Sequence, residues 1–126
     1  MVIVLIHWRI KPEMEHEFLE YWRTTTTVPD RTGLITEMLS EVNTPKDFSY
    51  ITWTLDPESL GNFKSYVNVG IWSDSETFFD QIGKNFNDDL PMKEFEQFRR
   101  RRIVLTPQGW RRGSHPLPGS DSLGTI

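Results

Sequence analysis

Apolar and polar positions alternate from the first residues of the chain. In Val2 to Ile10 the even positions Val2, Val4, Ile6, Trp8 and Ile10 are all apolar, while the odd positions run Ile3, Leu5, His7, Arg9. A period of two in a β-branched run predicts a central strand, apolar throughout on one face and polar at the C-terminal end of the other. The period then changes. Met14, Phe18, Tyr21, Trp22 and Thr25 recur at i, i+4, i+7, i+8 and i+11, the stripe of a half-buried helix. Pro12 suits its first turn and Glu13, Glu15 and Glu17 its N-terminal dipole, while Glu13, His16, Glu17 and Glu20 cover the opposite side. The β-branched run Thr24 to Val28, followed by Pro29, ends it.

Further strands are predicted over Gly33 to Val42, Phe48 to Leu55 and Phe63 to Trp72, with turns at Asn43 to Asp47 and Asp56 to Asn62. Ser73 and Glu76 form an S-x-x-E capping box ahead of a second helix near Asp74 to Phe86, whose apolar stripe is Phe78, Phe79, Ile82 and Phe86. A short helix over Met92 to Phe98 and a last strand over Arg100 to Thr106 close the body. This order predicts an α+β fold: a ferredoxin-like split β-α-β with an antiparallel sheet and both helices on one face. The sheet's other face is then apolar and uncovered, which asks for a second copy of the chain and hence a homodimer. Residues 1–106 form the domain. Pro107 onward is rich in Pro, Gly and Ser and reads as an extended tail over 107–126, packed on the body or on the partner protomer because Trp110 and Leu117 are ill suited to a free segment.

The aromatic load is high, with five Trp, eight Phe and three Tyr, and suits a core, an interface or the wall of a planar-ligand pocket. A formal charge of −4 argues against broad nucleic-acid binding, which depends on neutralising phosphates. With no cysteine there are no disulfides and no thiolate chemistry, which fits a reducing compartment. The apolar run before His7 lacks a basic flank and a cleavage pattern, and nothing reaches membrane-spanning length, so the expectation is a cytoplasmic protein without a membrane partner.

The segments IHWRIKPEMEHEFLEYW, VNVGIWSDSETFFDQI and FRRRRIVLTP resemble the first strand and helix, the strand-tryptophan-helix unit and the closing strand of antibiotic-biosynthesis-monooxygenase-like proteins. The resemblance spans roughly residues 2 to 106 and implies a dimeric α+β barrel, with a cavity between each sheet and its own helices. It also implies activities such as cofactor-independent oxygenation of polycyclic phenols, haem degradation or quinone chemistry. Trp72 matches the family tryptophan. Haem-degrading members pair it with a first-strand Asn and a second-helix His; here the first strand has Ile6 or His7, and Asp74 to Phe86 contains no His.

Candidate chemistry follows. His7, Asn68 and Trp72 are the candidate catalytic residues, as base, hydrogen-bond donor and aromatic wall. Trp8, Arg9, Tyr21, Trp22 and Phe79 are candidate substrate contacts. Each has a plainer role: core packing for the tryptophans, pairing across a dimer for His7 and Arg9, a neighbour's hydrogen bond for Asn68. Gly70 marks a bulge or a close approach. His16 among glutamates lacks a second histidine and suits a solvated face better than a metal. Arg99 to Arg102 alternate between faces, which suits pairing with Asp88, Asp89, Glu94 or Glu96 better than one anion site. No cofactor is expected: no flavin, haem or metal motif is present. The reading is a dimeric binder of a small aromatic molecule, acting as a cofactor-independent monooxygenase on a phenolic substrate. The alternative is a non-catalytic dimeric ligand-binding or structural module.

Overall fold

The computed structural model describes residues 1–24, 31–42, 62–84 and 89–115. The strand expected over Phe48 to Leu55, the flanking turns, Phe86, and the tail beyond residue 115 lie outside the described residues.

The protein is α+β. Strand β1 (Val2–Ile10) leads through a 3₁₀ turn (Pro12–Met14) into helix α1 (Glu15–Thr24). Strands β2 (Leu34–Glu41) and β3 (Lys64–Trp72) follow, then the single-turn helix α2 (Ser75–Phe78), a π-turn (Phe79–Gly83) and strand β4 (Glu96–Leu105). The four strands form one antiparallel sheet in the order β2-β3-β1-β4. β1 is therefore bonded on both edges, as its β-branched run requires.

The even face of β1 carries the core. Val4, Ile6, Trp8 and Ile10 are buried together with Phe18 of α1, Tyr66 and Trp72 of β3, and Phe78 and Ile82 of the second helical segment. Phe18 is fully buried and lies 5.2 Å from the Trp8 ring, 5.3 Å from Tyr66 and 5.4 Å from Phe95, centroid to centroid. These tilted contacts are the favoured aromatic geometry. Glu13, His16, Glu17 and Glu20 are exposed, as their spacing predicts.

Three local expectations are corrected. The helix expected over Met92 to Phe98 is instead a turn followed by the start of β4. The cause is Glu96: its carboxylate accepts hydrogen bonds from Lys93 N (2.7 Å), Arg100 N (3.1 Å) and Arg100 NH1 (3.0 Å). Both side chains of the Glu96–Arg100 pair are essentially fully buried. The second helix begins one residue later than the S-x-x-E box suggests. Asp74 is the N-cap, its Oδ1 accepting from Thr77 N at 2.8 Å, while Ser73 donates to the same carboxylate. That hydrogen bonding holds the Asp74 carboxyl below its ordinary value. Finally, the π-turn breaks the helical stripe: Phe78 and Ile82 are buried, but Phe79 is 56% exposed.

Gly33, at φ +80°, ends the turn before β2, and a Cβ there would sit 2.5 Å from the Thr77 hydroxyl. Its carbonyl accepts from Ser73 N at 2.7 Å, which binds this turn to the end of β3. Gly70 makes the close approach expected of it: a Cβ would lie 3.0 Å from Trp72 Nε1, so the indole packs over the bare backbone.

The buried Glu96–Arg100 pair gives a stability test. Glu96→Ala strands the guanidinium without its counter-charge and is expected to cost about 3–5 kcal/mol. The double variant Glu96→Ala/Arg100→Met should recover much of that loss. Urea denaturation of the two variants against wild type measures both.

Candidate functional site

Alternation along the strands divides the polar residues between two faces of the sheet. Asn68 pairs with Ile6 in register and shares the helix-covered face with it. His7 and Arg9, one residue out of phase, lie on the helix-free face beside Val67 and Ser65. His7 and Asn68 are both buried, yet the sheet separates their side chains.

On the helix-covered face a cavity is lined by Ile6, Trp8, Trp22, Glu37, Asn68, Ile82 and Arg102. Its volume is about 20 Å³, which takes a water- or hydroxyl-sized group. Asn68 Nδ2 donates to Glu37 Oε1 at 2.8 Å. Asn68 Oδ1 and Trp8 Nε1 are buried and have no hydrogen-bond partner among the described residues. Burial pushes the Glu37 carboxyl above its ordinary value, against the opposing pull of the Asn68 bond and of the Arg31 charge.

Local structure explains why Glu37 is there. A β-bulge between Leu34 and Thr36 shifts the β2 register by one residue. Downstream of it Glu37 pairs with Gly70 and Leu39 with Asn68, so Glu37 falls on the helix side and reaches diagonally to Asn68. The bulge also turns Ile35 outward, 52% exposed.

The sequence-derived candidates sort as follows. Trp8, Trp22 and Asn68 line the cavity. Trp72 is core at the junction of β3 and α2, its ring 5.7 Å from Phe78, and it is not among the cavity-lining residues. Tyr21 packs on Phe95 at 5.0 Å under the Lys93 ammonium; its hydroxyl is buried, which raises its phenol above the ordinary value. Phe79 faces solvent. Arg9 stacks on Phe98 at 4.9 Å and donates to the Arg99 carbonyl at 2.7 Å. His7 bonds Ser65 Oγ through Nε2 at 3.1 Å, and Arg101 NH2 donates to its Nδ1 at 2.7 Å, which fixes the Nε2–H tautomer. The arginine run is divided among different tasks: Arg99 caps the Leu90 carbonyl, Arg100 pairs with Glu96, Arg101 holds His7, and Arg102 lines the cavity.

Sequence reasoning missed Glu37 and Arg102. The acid in the middle of the apolar run LITEML is the signal that could have found Glu37; the bulge that aims it has none. No group of three or more potential metal ligands occurs among the described residues. No helix among them is long and apolar enough to cross a membrane. The sequence matches no protein-family model, and a search of curated proteins finds no match.

The raised Glu37 carboxyl carries a pH signature. The folded protein holds this proton more tightly than the unfolded chain, so the contribution is fully present below the ordinary glutamate value of 4.5 and is lost as pH rises through the raised folded value. Glu37→Gln, which has no charge to bury, should therefore be more stable relative to wild type at neutral pH than at about pH 4. Thermal melts across that range check the sign.

Proposed function

We propose that this chain binds a small aromatic or phenolic molecule at the cavity between the sheet and its helices, as a ferredoxin-like unit that pairs into a dimeric α+β barrel. The observation that carries the reading is one cavity bringing together indole rings, a buried amide oxygen without a partner, a carboxyl with a raised proton affinity and an arginine. Such convergent polar groups in an apolar setting are what a ligand with one polar substituent needs. The hydroxyl enters the small polar space and the ring lies against Trp22 and Ile82. The chemistry proposed is cofactor-independent oxygenation. The substrate phenol gives up its proton, the resulting anion passes an electron to dioxygen, and the substrate radical and superoxide combine with a proton to a hydroperoxide. Loss of water then leaves one oxygen atom in the substrate as a carbonyl, so that the substrate itself supplies all the electrons and the second oxygen departs as water. Glu37 is the base that this cavity offers; His7, across the sheet, belongs to the other face.

Dimerisation is supported by the helix-free face. Ile3, Leu5, Val67, Val69 and Ile71 share it in register, flanked by Ile103 (57% exposed) and Leu105 (42% exposed) of β4. An apolar sheet face of this extent calls for a cover, and an identical face is self-complementary across a two-fold axis. The tail gives a second reason. Trp110 is 66% exposed on the single chain, which suits a tail that packs on a partner protomer.

The alternative, a non-catalytic dimeric binder, is favoured by one observation: Trp72, Phe79 and His7 all lie away from the cavity.

Light scattering at micromolar concentration should give a dimer, and Ile103→Lys, at a position already exposed on the single chain, should shift it to monomer with an unchanged circular dichroism spectrum. A wild-type monomer removes the barrel. Aerobic incubation with a quinol and anthrone panel should give products heavier by oxygen; binding without a mass change selects the non-catalytic alternative.

A further inference from the structure

The Asn68–Glu37 pair fixes which end of an amide the cavity meets. An ionised carboxylate only accepts, so Asn68 must turn its Nδ2 toward Glu37, as it does at 2.8 Å, and the oxygen is left as the buried atom without a partner. A protonated Glu37 relaxes the requirement: its C=O still accepts from Asn68 Nδ2, and its O–H can donate to Asn68 Oδ1 once the amide rotates through half a turn, so either end of the amide can face the cavity. We propose that Glu37 is the specificity-determining residue of this cavity: ionised, it makes Asn68 present a carbonyl oxygen that selects ligands with a hydroxyl or N–H; protonated, it lets Asn68 turn either end of its amide to the cavity, and ligands with a carbonyl or anionic oxygen are admitted as well. This rests on the cavity being a ligand site and adds the hydrogen-bonding class of the ligand.

The surroundings are consistent with both states. Trp8, on the same cavity wall, has a buried indole N–H without a partner among the described residues and is a donor at any pH. A hydroxyl, which donates and accepts, therefore answers both residues when Glu37 is ionised; a ketone can answer only Trp8 and leaves Asn68 Oδ1 unmatched. Among the described residues, the charged groups near the pair are Arg31, from the turn before β2, and Arg102, from β4, which lines the same cavity. The Arg31 charge favours the carboxylate. α1 and the π-turn add only Trp22 and Ile82 to the lining. Burial outweighs Arg31 and the Asn68 bond and raises the Glu37 carboxyl above its ordinary value.

The test uses two monocyclic probes of similar size, phenol and acetophenone, titrated into the carbon-13- and nitrogen-15-labelled full chain at pH values on either side of the Glu37 titration, which its own carboxyl carbon resonance reads; phenol stays neutral in the acidic-to-neutral range. The Trp8 indole and Asn68 side-chain amide resonances report binding at the cavity. The ratio of phenol to acetophenone affinity should rise on the order of tenfold from the acidic to the alkaline end, the scale of one buried polar group left unmatched. Glu37→Gln does not titrate and can satisfy either amide orientation, so its ratio should be flat with pH. A wild-type ratio that is flat while both probes bind overturns the inference and leaves the cavity a ligand site. A slope that survives in Glu37→Gln assigns the dependence to another group and also overturns it. Failure of both probes to move either resonance removes the ligand site itself. If Glu37→Gln does not fold, the Asn68 amide shifts in wild type decide: they must move with the Glu37 carboxyl carbon in one titration, and independent titration overturns the proposal.

Discussion

A strand paired on both edges and loaded on both faces must satisfy four sets of neighbours at once, and β1 is that strand. Its ladders to β3 and β4 hold the sheet together. Its even residues supply the floor of the core, and its odd residues carry the helix-free face. Phe18 is fully buried because Trp8, Tyr66 and Phe95 converge on it from β1, β3 and the turn before β4. A slip of one residue in β1 would put His7 and Arg9 under the helices and expose Ile6 and Trp8. The partners of His7 and Arg9 on the far face, Ser65, Arg101, Phe98 and the Arg99 carbonyl, hold the register from the other side.

Where one physical signal dominated, the sequence could be read. The period of two placed β1 to the residue, and the stripe through Met14, Phe18, Tyr21 and Trp22 located the first helix and its buried side. The failures occur where a single side chain, or a local change in backbone winding, overrides the pattern. Glu96 draws three donors onto its carboxylate and converts a helix-like segment into a turn and a strand. Asp74 outcompetes Ser73 for the cap, since its carboxylate reaches Thr77 N and also accepts from Ser73. The π-turn rotates Phe79 out of a stripe that an α-helix would have kept intact. For the site, periodicity identified Trp8, Trp22 and Asn68, while Glu37 depended on a bulge set by backbone pairing between strands some thirty residues apart.

The two faces of the sheet have different chemistry. Under the helices the polar groups are few and incompletely matched: an amide oxygen, an indole N–H and a carboxyl that burial makes reluctant to ionise. On the other face His7 is held between Ser65 and Arg101, and Arg9 lies over Phe98 and donates to the Arg99 carbonyl. Mismatch in the first case leaves hydrogen-bonding capacity for something that enters; on the second face the residues around His7 and Arg9 are mostly apolar, and burial of that surface would dominate any association there.

The strand order also constrains how the chain acquires its structure. β1 is the first strand in sequence, but its two neighbours are the third and fourth, so its edges wait for partners some sixty and ninety-five residues downstream. Closing loops of that length before any ladder energy is gained places this protein among the slow, high-contact-order folders. Until Glu96–Leu105 has been synthesised and docked, one edge of the most apolar strand is open to pairing with another chain. Conditions that stall synthesis or remove β4 would therefore show first as aggregation and only later as lost function.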